Sequence, residues 1–305
     1  MKKLKDLEQT EIETYFNRRV QRGGGGGYFA TFLGGSKGEA NDESRAQLDP
    51  RILVWEYEGS KTLRTLMTDP AFPLNLEPYY YNRGQNPEDK SPLPPARGET
   101  SEGRREAEML RKVMTDLLRA TKILHSIGIV HRDIKPGNLL VSEVPNGQVL
   151  RIIDLGACAD LRNGFNYEPE FGIRDPRYGP PEQYIMPQNT PRPPPGVLAL
   201  LAAPFLWQTQ SPDLFDSFTA GMILLQMAVP QLRGPGGMKM VNPQLKSVGN
   251  DVEAWRQSCG QNLDFDLLDR QNGAGWDLVC NLLTLKDKRM SVSAAMAHRF
   301  FRHTF

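Results

Sequence analysis

The chain has 305 residues, 39% of them hydrophobic and 24% charged, which allows a sizeable core in one two-lobed domain or two small ones. Lys and Arg number 37 against 36 Asp and Glu, so the net charge is +1; this excludes the basic excess of a nucleic-acid binder or a membrane-adhering face. The longest apolar run, 197–206, is interrupted by Pro204 and falls short of the ~20 residues a bilayer span needs. Met1-Lys2-Lys3 lacks the apolar core of a signal peptide. The sequence therefore reads as an excised soluble domain. Cys158, Cys259 and Cys280 are scattered without CxxC spacing and read as reduced thiols, neither a disulfide framework nor a zinc site.

In chain order, Thr10 with Glu13 three later forms a capping box. It opens a helix over 10–22 with Ile12, Tyr15, Phe16 and Val20 on one face. Gly23 to Gly27 reads as a flexible connector. It follows a helix, whereas a phosphate-cradling loop links two strands. Strands are expected at 28–33 and 51–57, separated by a polar excursion at 36–47. The stretch 70–103, rich in Pro, Asn and Gly, reads as an ordered but irregular connection or as partly disordered, with Tyr79, Tyr80 and Tyr81 as packing residues sooner than a binding box. Leu110, Val113, Met114, Leu117, Thr121 and Leu124 predict a long helix over 104–127, stopped by Gly128.

That helix feeds Ile129-Val130 into His131-Arg132-Asp133-Ile134-Lys135-Pro136-Gly137-Asn138, the stretch where chemistry concentrates. Phosphoryl transfer needs a carboxylate to orient and deprotonate a hydroxyl, a cation to offset charge on the moving group, and an oxygen to hold Mg²⁺. Asp133, Lys135 and Asn138 supply these in turn. Two short strands follow, 139–141 and 149–153, joined by a turn at 145–147, and the second delivers Asp154-Leu155-Gly156 sixteen residues after Asn138.

These motifs resemble the catalytic loop and metal motif of eukaryotic-type protein kinases. The resemblance implies an α+β, two-lobed kinase fold: a small lobe over 1–58 and a mainly helical large lobe over 59–305. It implies ATP and Mg²⁺, with Asp154 and Asn138 as metal ligands and Gly156 letting the backbone turn. Adenine would bond to the backbone of Glu56 and Glu58, with Trp55 at the back of its pocket. His131 would be structural. Glu182, ending an activation segment over 157–182, would pair with Arg289. Asp216 would steady the catalytic loop. The strand lysine falls to Lys2, Lys3 or Lys5, the first two fitting better, and no glycine-rich strand pair precedes it. Alignment through Asn17 to Val20 places Arg18 at the helix-carboxylate position, with Glu13 the nearest acid.

From Leu155 to Glu182 there is no Ser or Thr. Arg132, which in many kinases meets a phosphate on this segment, would instead meet Glu168, Glu170 or Asp175 as a standing negative charge. The Pro-rich stretch 187–212 reads as an insertion whose apolar centre is a packed helix or, less favoured, a docking surface. Ser211-Pro212 then opens a buried helix over 213–229.

A closer match lies in 152–162, 175–178, 181–186, Trp207-Gln208, 212–216, 221–233 and Gly275-Trp276. It resembles the state-transition kinases of algal and plant chloroplasts. That family phosphorylates Ser/Thr, chiefly Thr, near the stromal N-termini of light-harvesting complex II proteins; a sister branch prefers photosystem II core proteins. The implied place is the stromal face of the thylakoid, reached through a membrane segment outside this sequence. The complete Asp133, Lys135, Asn138 and Asp154 set weighs against a catalytically weak, pseudokinase-like binding module. The Lys135 spacing weighs against a small-molecule kinase.

Overall fold

The computed structural model describes residues 2–4, 7–35, 51–81, 101–144, 147–167, 175–187, 190, 197–258 and 262–302. Strand β1 (Lys2–Lys3) precedes helix α1 (Leu7–Arg22), then β2 (Phe32–Gly35) and β3 (Ile52–Trp55). The three strands form one antiparallel sheet with β3 in the middle, registering Lys2 and Gly35 on either side of Leu53. Helix α1 begins three residues before the expected capping box. Thr10 is therefore buried inside it, and the Glu13 carboxylate turns away to meet Lys2.

The glycine run is a packed turn and not the flexible connector expected. A Cβ on Gly25 would stand 2.5 Å from Val20 and 2.9 Å from Phe29, while Gly24 and Gly27 hold φ of +82° and +87° that other residues resist. Beyond the turn the expected strand splits. Phe29 bridges Ile152 in parallel before the chain enters β2.

The second sheet runs β4 (Lys61–Thr62), β6 (Leu139–Val141), β7 (Leu150–Ile152), all antiparallel. A third pairs β5 (Ile129–Val130) with β8 (Ala159–Asp160). Between them lie α2 (Leu63–Met67), capped by the Thr62 hydroxyl, and α3 (Glu77–Tyr81). The tyrosines pack as expected: Tyr80 and Tyr81 lean on α4 (Ser101–Ser126) and donate to its Asp116 and Glu108.

Helix α4 crosses α6 (Leu214–Ala228), every residue of which is buried, so the two form the centre of the larger, helical part. Each large apolar side chain sealed there contributes roughly 1.5–3 kcal/mol against exposure. Gly221 lets α6 meet the end of a later helix closely; a Cβ there would lie 2.7 Å from Leu282. The remaining helices are α7 (Pro230–Arg233), α8 (Val241–Ser247), α9 (Val252–Ser258), α10 (Asp266–Leu282, broken at Arg270 to Gly273) and α11 (Val292–Met296).

The insertion forms α5 (Val197–Gln210). Packing was the favoured expectation, yet Leu198, Leu201 and Phe205 are 61%, 72% and 69% exposed. Its hold on the body includes buried Ala203 and Trp207, edge-on to His125 at 5.8 Å. No helix of the described residues is long and apolar enough to cross a membrane.

Candidate active site

The loop between β5 and β6 is fixed from beneath by α6. The fully buried Asp216 carboxylate accepts the His131 N–H at 2.8 Å and the Arg132 N–H at 3.0 Å, and meets His125 Nε2 at 3.0 Å. Burial works to raise its pKa, but the hydrogen bond and charge of His125 hold it below the ordinary carboxylate value. Two N–H bonds to one carboxylate hold Arg132 at φ +68°, a conformation that costs about 1–3 kcal/mol and needs such over-determination. His131 is fully buried and burial lowers its pKa, so it stays neutral; its Nδ1 accepts the Asp133 N–H at 3.3 Å, which leaves the proton on Nε2. That arrangement suits a structural role and not a proton acceptor from substrate.

Asp133 is gripped on both sides. Lys135 Nζ lies 2.8 Å and 3.0 Å from its two oxygens, and Asn138 Nδ2 donates to its carbonyl at 2.9 Å and its carboxylate at 3.2 Å. With Nδ2 so used, Asn138 Oδ1 forms no hydrogen bond among the described residues and is left for a cation. The Asn138 carbonyl accepts the Ile153 N–H at 3.0 Å, which sets Asp154 beside the loop. Asp154 itself takes the left-handed conformation, φ +63°. Gly156, expected to supply the turn, has no positive φ, and a Cβ there would make only ordinary contact at 3.5 Å with Asp154. One carboxylate and one amide oxygen are too few for an all-protein metal cage, and no group of three His, Cys, Asp or Glu forms one among the described residues. The pair fits Mg²⁺, which completes its shell with phosphate oxygens and water.

Of the N-terminal lysines, Lys2 reaches this point. Its Nζ lies 2.9 Å from Glu13 Oε2 and 3.1 Å from Asp154 Oδ1. The side chain of Lys3 and the whole of Lys5 lie outside the described residues. Glu13, not Arg18, is the helix residue at the lysine; Arg18 is exposed, about 140° around the helix, so the alignment placing it there is corrected. Burial pushes Glu13 up while Lys2 pulls it partly back. Burial disfavours the Lys2 charge, but Glu13 and Asp154 outweigh it and raise that pKa. Asp154 is held below its ordinary value, burial being outweighed by Lys2. As pH falls, Glu13 is therefore the first of the three to change charge, at a pH above the ordinary 4.5. Protonated Glu13 no longer anchors the Lys2 cation, so an acid limb is expected in kcat/KM for ATP. Glu13→Gln should raise KM for ATP roughly tenfold, from a lost charge-assisted bond of ~1.5 kcal/mol, and flatten that limb. A limb unchanged in the variant would reject the assignment.

Beyond β3, the Glu56 carbonyl and the Glu58 N–H make no hydrogen bond among the described residues, leaving both for a ligand's edge. The Glu58 side chain is not free: its Oε1 accepts from Arg151 Nη1 at 2.6 Å and from Thr31 N and Oγ1 at 3.0 Å and 2.8 Å. Sequence reasoning missed this buried group, although a lone Arg inside the apolar run Val149 to Ile153 is the signal for it. Trp55 packs against Phe32 at 5.4 Å and donates its indole N–H to Asn17 at 3.0 Å, tying β3 to α1.

Of the three acids expected to meet Arg132, the one within the described residues, Asp175, does not. The Arg132 Nε donates to the Ala157 carbonyl at 2.6 Å, and its Nη2 to those of Cys158 and Asn166, both at 3.1 Å. Asp175 pairs with Arg177 at 2.6 Å instead, while Glu168 and Glu170 lie outside the described residues. Glu182 and Arg289 form a two-pronged pair at 2.6 Å and 3.0 Å, with the guanidinium fully buried.

Residues 97–193 match the family model described as protein kinase domain. Serine/threonine-protein kinase STN8, chloroplastic, of Arabidopsis thaliana is 40% identical over 95% of this chain and 56% of its own length. STN7 of the same plant is 38% identical, over 97% and 51%. The chain thus spans about half the length of these curated relatives. The crystal structure of a Stt7 homolog from Micromonas algae soaked with ATP superposes with a TM-score of 0.76 at 33% identity, covering 97% of this chain and 81% of that one. With this fold and these relatives, the chain belongs to the serine/threonine protein kinases, in the family of STN7, STN8 and the Stt7 homologues.

Proposed function

We propose that this chain transfers the γ-phosphate of ATP to Thr or Ser of a protein. One observation carries the reading: Lys135 and Asn138 grip Asp133 while Lys2 joins Glu13 to Asp154, and the Ile153 N–H bond to the Asn138 carbonyl ties the two groups side by side. In this reading Asp133 orients the acceptor hydroxyl and takes its proton, and Lys135 offsets charge on the transferring group. Lys2 grips the α- and β-phosphates. Glu56 and Glu58 hold adenine through their backbone. Asn138 and Asp154 hold Mg²⁺, which when bound draws charge from the phosphate oxygens. The small lobe is taken to run to residue 58 and the large lobe from 59, with the insertion at 187–212.

The resemblance to state-transition kinases, and relatives named as chloroplastic, support a thylakoid substrate at the stromal face. Light-harvesting complex II N-termini come first; photosystem II core proteins are the alternative, since STN8 and STN7 match this chain almost equally. Labelled ATP with Mg²⁺ and peptides from both N-termini provide the test. Transfer to Thr, abolished by chelating Mg²⁺ and by Thr→Val in the peptide, is expected. A thermal shift with Mg-ATP but no transfer to any peptide would instead indicate a binding module.

A further inference from the structure

Beside the catalytic loop, between α2, the start of the segment 175–187 and the turn at 234–236, lies a pocket of about 40 Å³. Lys135 forms part of its wall, and Lys135 Nζ stands 2.8 Å from Asp133 Oδ2, so the pocket adjoins the place where an acceptor hydroxyl must lie. Lys2, Asn138 and Asp154 do not line it, which sets it apart from the groups assigned to the nucleotide. An extended segment advances about 3.4 Å per residue, so a near neighbour of the acceptor residue can reach in.

Four cations line this pocket, Arg64, Lys135, Arg177 and Arg233, and no carboxylate does among the described residues. Like charges so close repel one another unless an anion sits among them. Three of the four are answered from outside the pocket. Lys135 has Asp133, Arg177 has Asp175, and Arg233 donates to the carbonyls of Met227 and Phe72 at 2.8 Å and 2.9 Å. Glu106 and Asp264 temper the Arg233 charge without lining the pocket. Arg64 has no such answer: it is exposed, and its guanidinium makes no hydrogen bond or ion pair among the described residues. Its backbone is held in α2, which the Thr62 hydroxyl caps.

Gly137 adds a separate observation. Its φ is not positive, and a Cβ built there would meet nothing closer than Arg64 Cδ at 3.9 Å. Neither backbone conformation nor close packing calls for glycine at this point. What the missing side chain leaves is an open floor, with the stem of Arg64 lying over it. The volume admits a carboxylate or a phosphate group.

We propose that this pocket selects the acceptor segment by charge, taking the carboxylate or phosphate of a residue within about three positions of the Thr or Ser, with Arg64 as the group that grasps it. The effect on transfer rests on the kinase reading above; the binding preference does not. The probes are fluorescein-labelled nonapeptides, each with one central Thr and with Gln, Glu, phosphoserine or Lys walked from three positions before it to three after. On the whole chain, transfer of labelled phosphate from Mg-ATP gives kcat/KM, and anisotropy gives affinity. At one position Glu or phosphoserine should exceed Gln about fivefold in both readouts, the worth of one exposed ion pair, and Lys should fall below Gln. Which of the two anions leads identifies its source. The gain should lie in KM for the peptide and not in KM for ATP. Arg64→Gln should erase the preference, Arg64→Lys keep part of it, and Arg64→Glu turn it toward the Lys peptide. Equal values for Gln, Glu and phosphoserine at every position, or an anion preference that survives Arg64→Glu, overturns the pocket. Affinity that follows charge, with no transfer to any peptide, removes the kinase reading and leaves the pocket standing.

Discussion

Asp133→Asn should lower kcat by about 10²–10⁴ while leaving ATP affinity nearly unchanged, the loss expected when a proton acceptor acts only in the transition state. The shape of the change is conservative: Asn can still accept from Lys135 and from the Asn138 amide, which lie 2.8 Å and 3.2 Å from the carboxylate. What disappears is basicity and one negative charge. Lys135 is then no longer neutralised by its neighbour and remains beside the cleft as an unpaired cation. KM for ATP should therefore stay level or fall slightly. Single-turnover transfer with labelled ATP, alongside nucleotide titration, separates the two effects. A tenfold loss of ATP affinity with unaltered kcat would show that Asp133 serves binding and not transfer.

The second large effect is on stability. Arg289→Ala should cost about 3–5 kcal/mol, the range for breaking a buried ion pair from one side. Arg289 is fully buried at its side chain, whereas Glu182 keeps 20% exposure. Besides Glu182, the guanidinium donates to the carbonyls of Thr284 and Leu214 and lies over the Phe218 ring at 4.9 Å. Removing it orphans those carbonyls and opens a cavity beside α6, while Glu182 recovers some water. Glu182→Ala should cost less, because Arg289 keeps its carbonyl partners. Urea unfolding with an unchanged m value reads both differences. A loss under 1 kcal/mol for Arg289→Ala would mean the pair is dispensable to the large lobe.

The catalytic loop was legible because its chemistry is contiguous: Asp133, Lys135 and Asn138 lie within six residues, so no fold had to be known to bring them together. The partners of Lys2 were harder. Glu13 and Arg18 sit five residues apart, about 140° around a helix, and the choice between them depends on how α1 is rotated against the sheet. That rotation is set by burial of Phe16 and Val20, not by local spacing. The glycine run misled because glycine marks both loose chain and close approach; Val20 and Phe29, crowding Gly25, decide for the second. Helix α5 misled in the opposite sense. An apolar composition suggested packing, and no pattern within it shows which side meets the body. The Arg132 partners left no sequence signal at all, since backbone carbonyls carry no residue identity.

The same three carbonyls bear on thiol chemistry. Cys158 gives up its carbonyl to Arg132 and to the Asn166 amide, and its sulfur is sealed beneath them, with burial pushing the thiol well above its ordinary pKa. Cys280, half-buried beside Glu253, is pushed up to about 12. Neither offers a thiolate at neutral pH. An oxidant or alkylating reagent would reach Cys158 only after the Arg132 latch lets go, which makes that sulfur a built-in witness to how often the segment lifts from the large lobe.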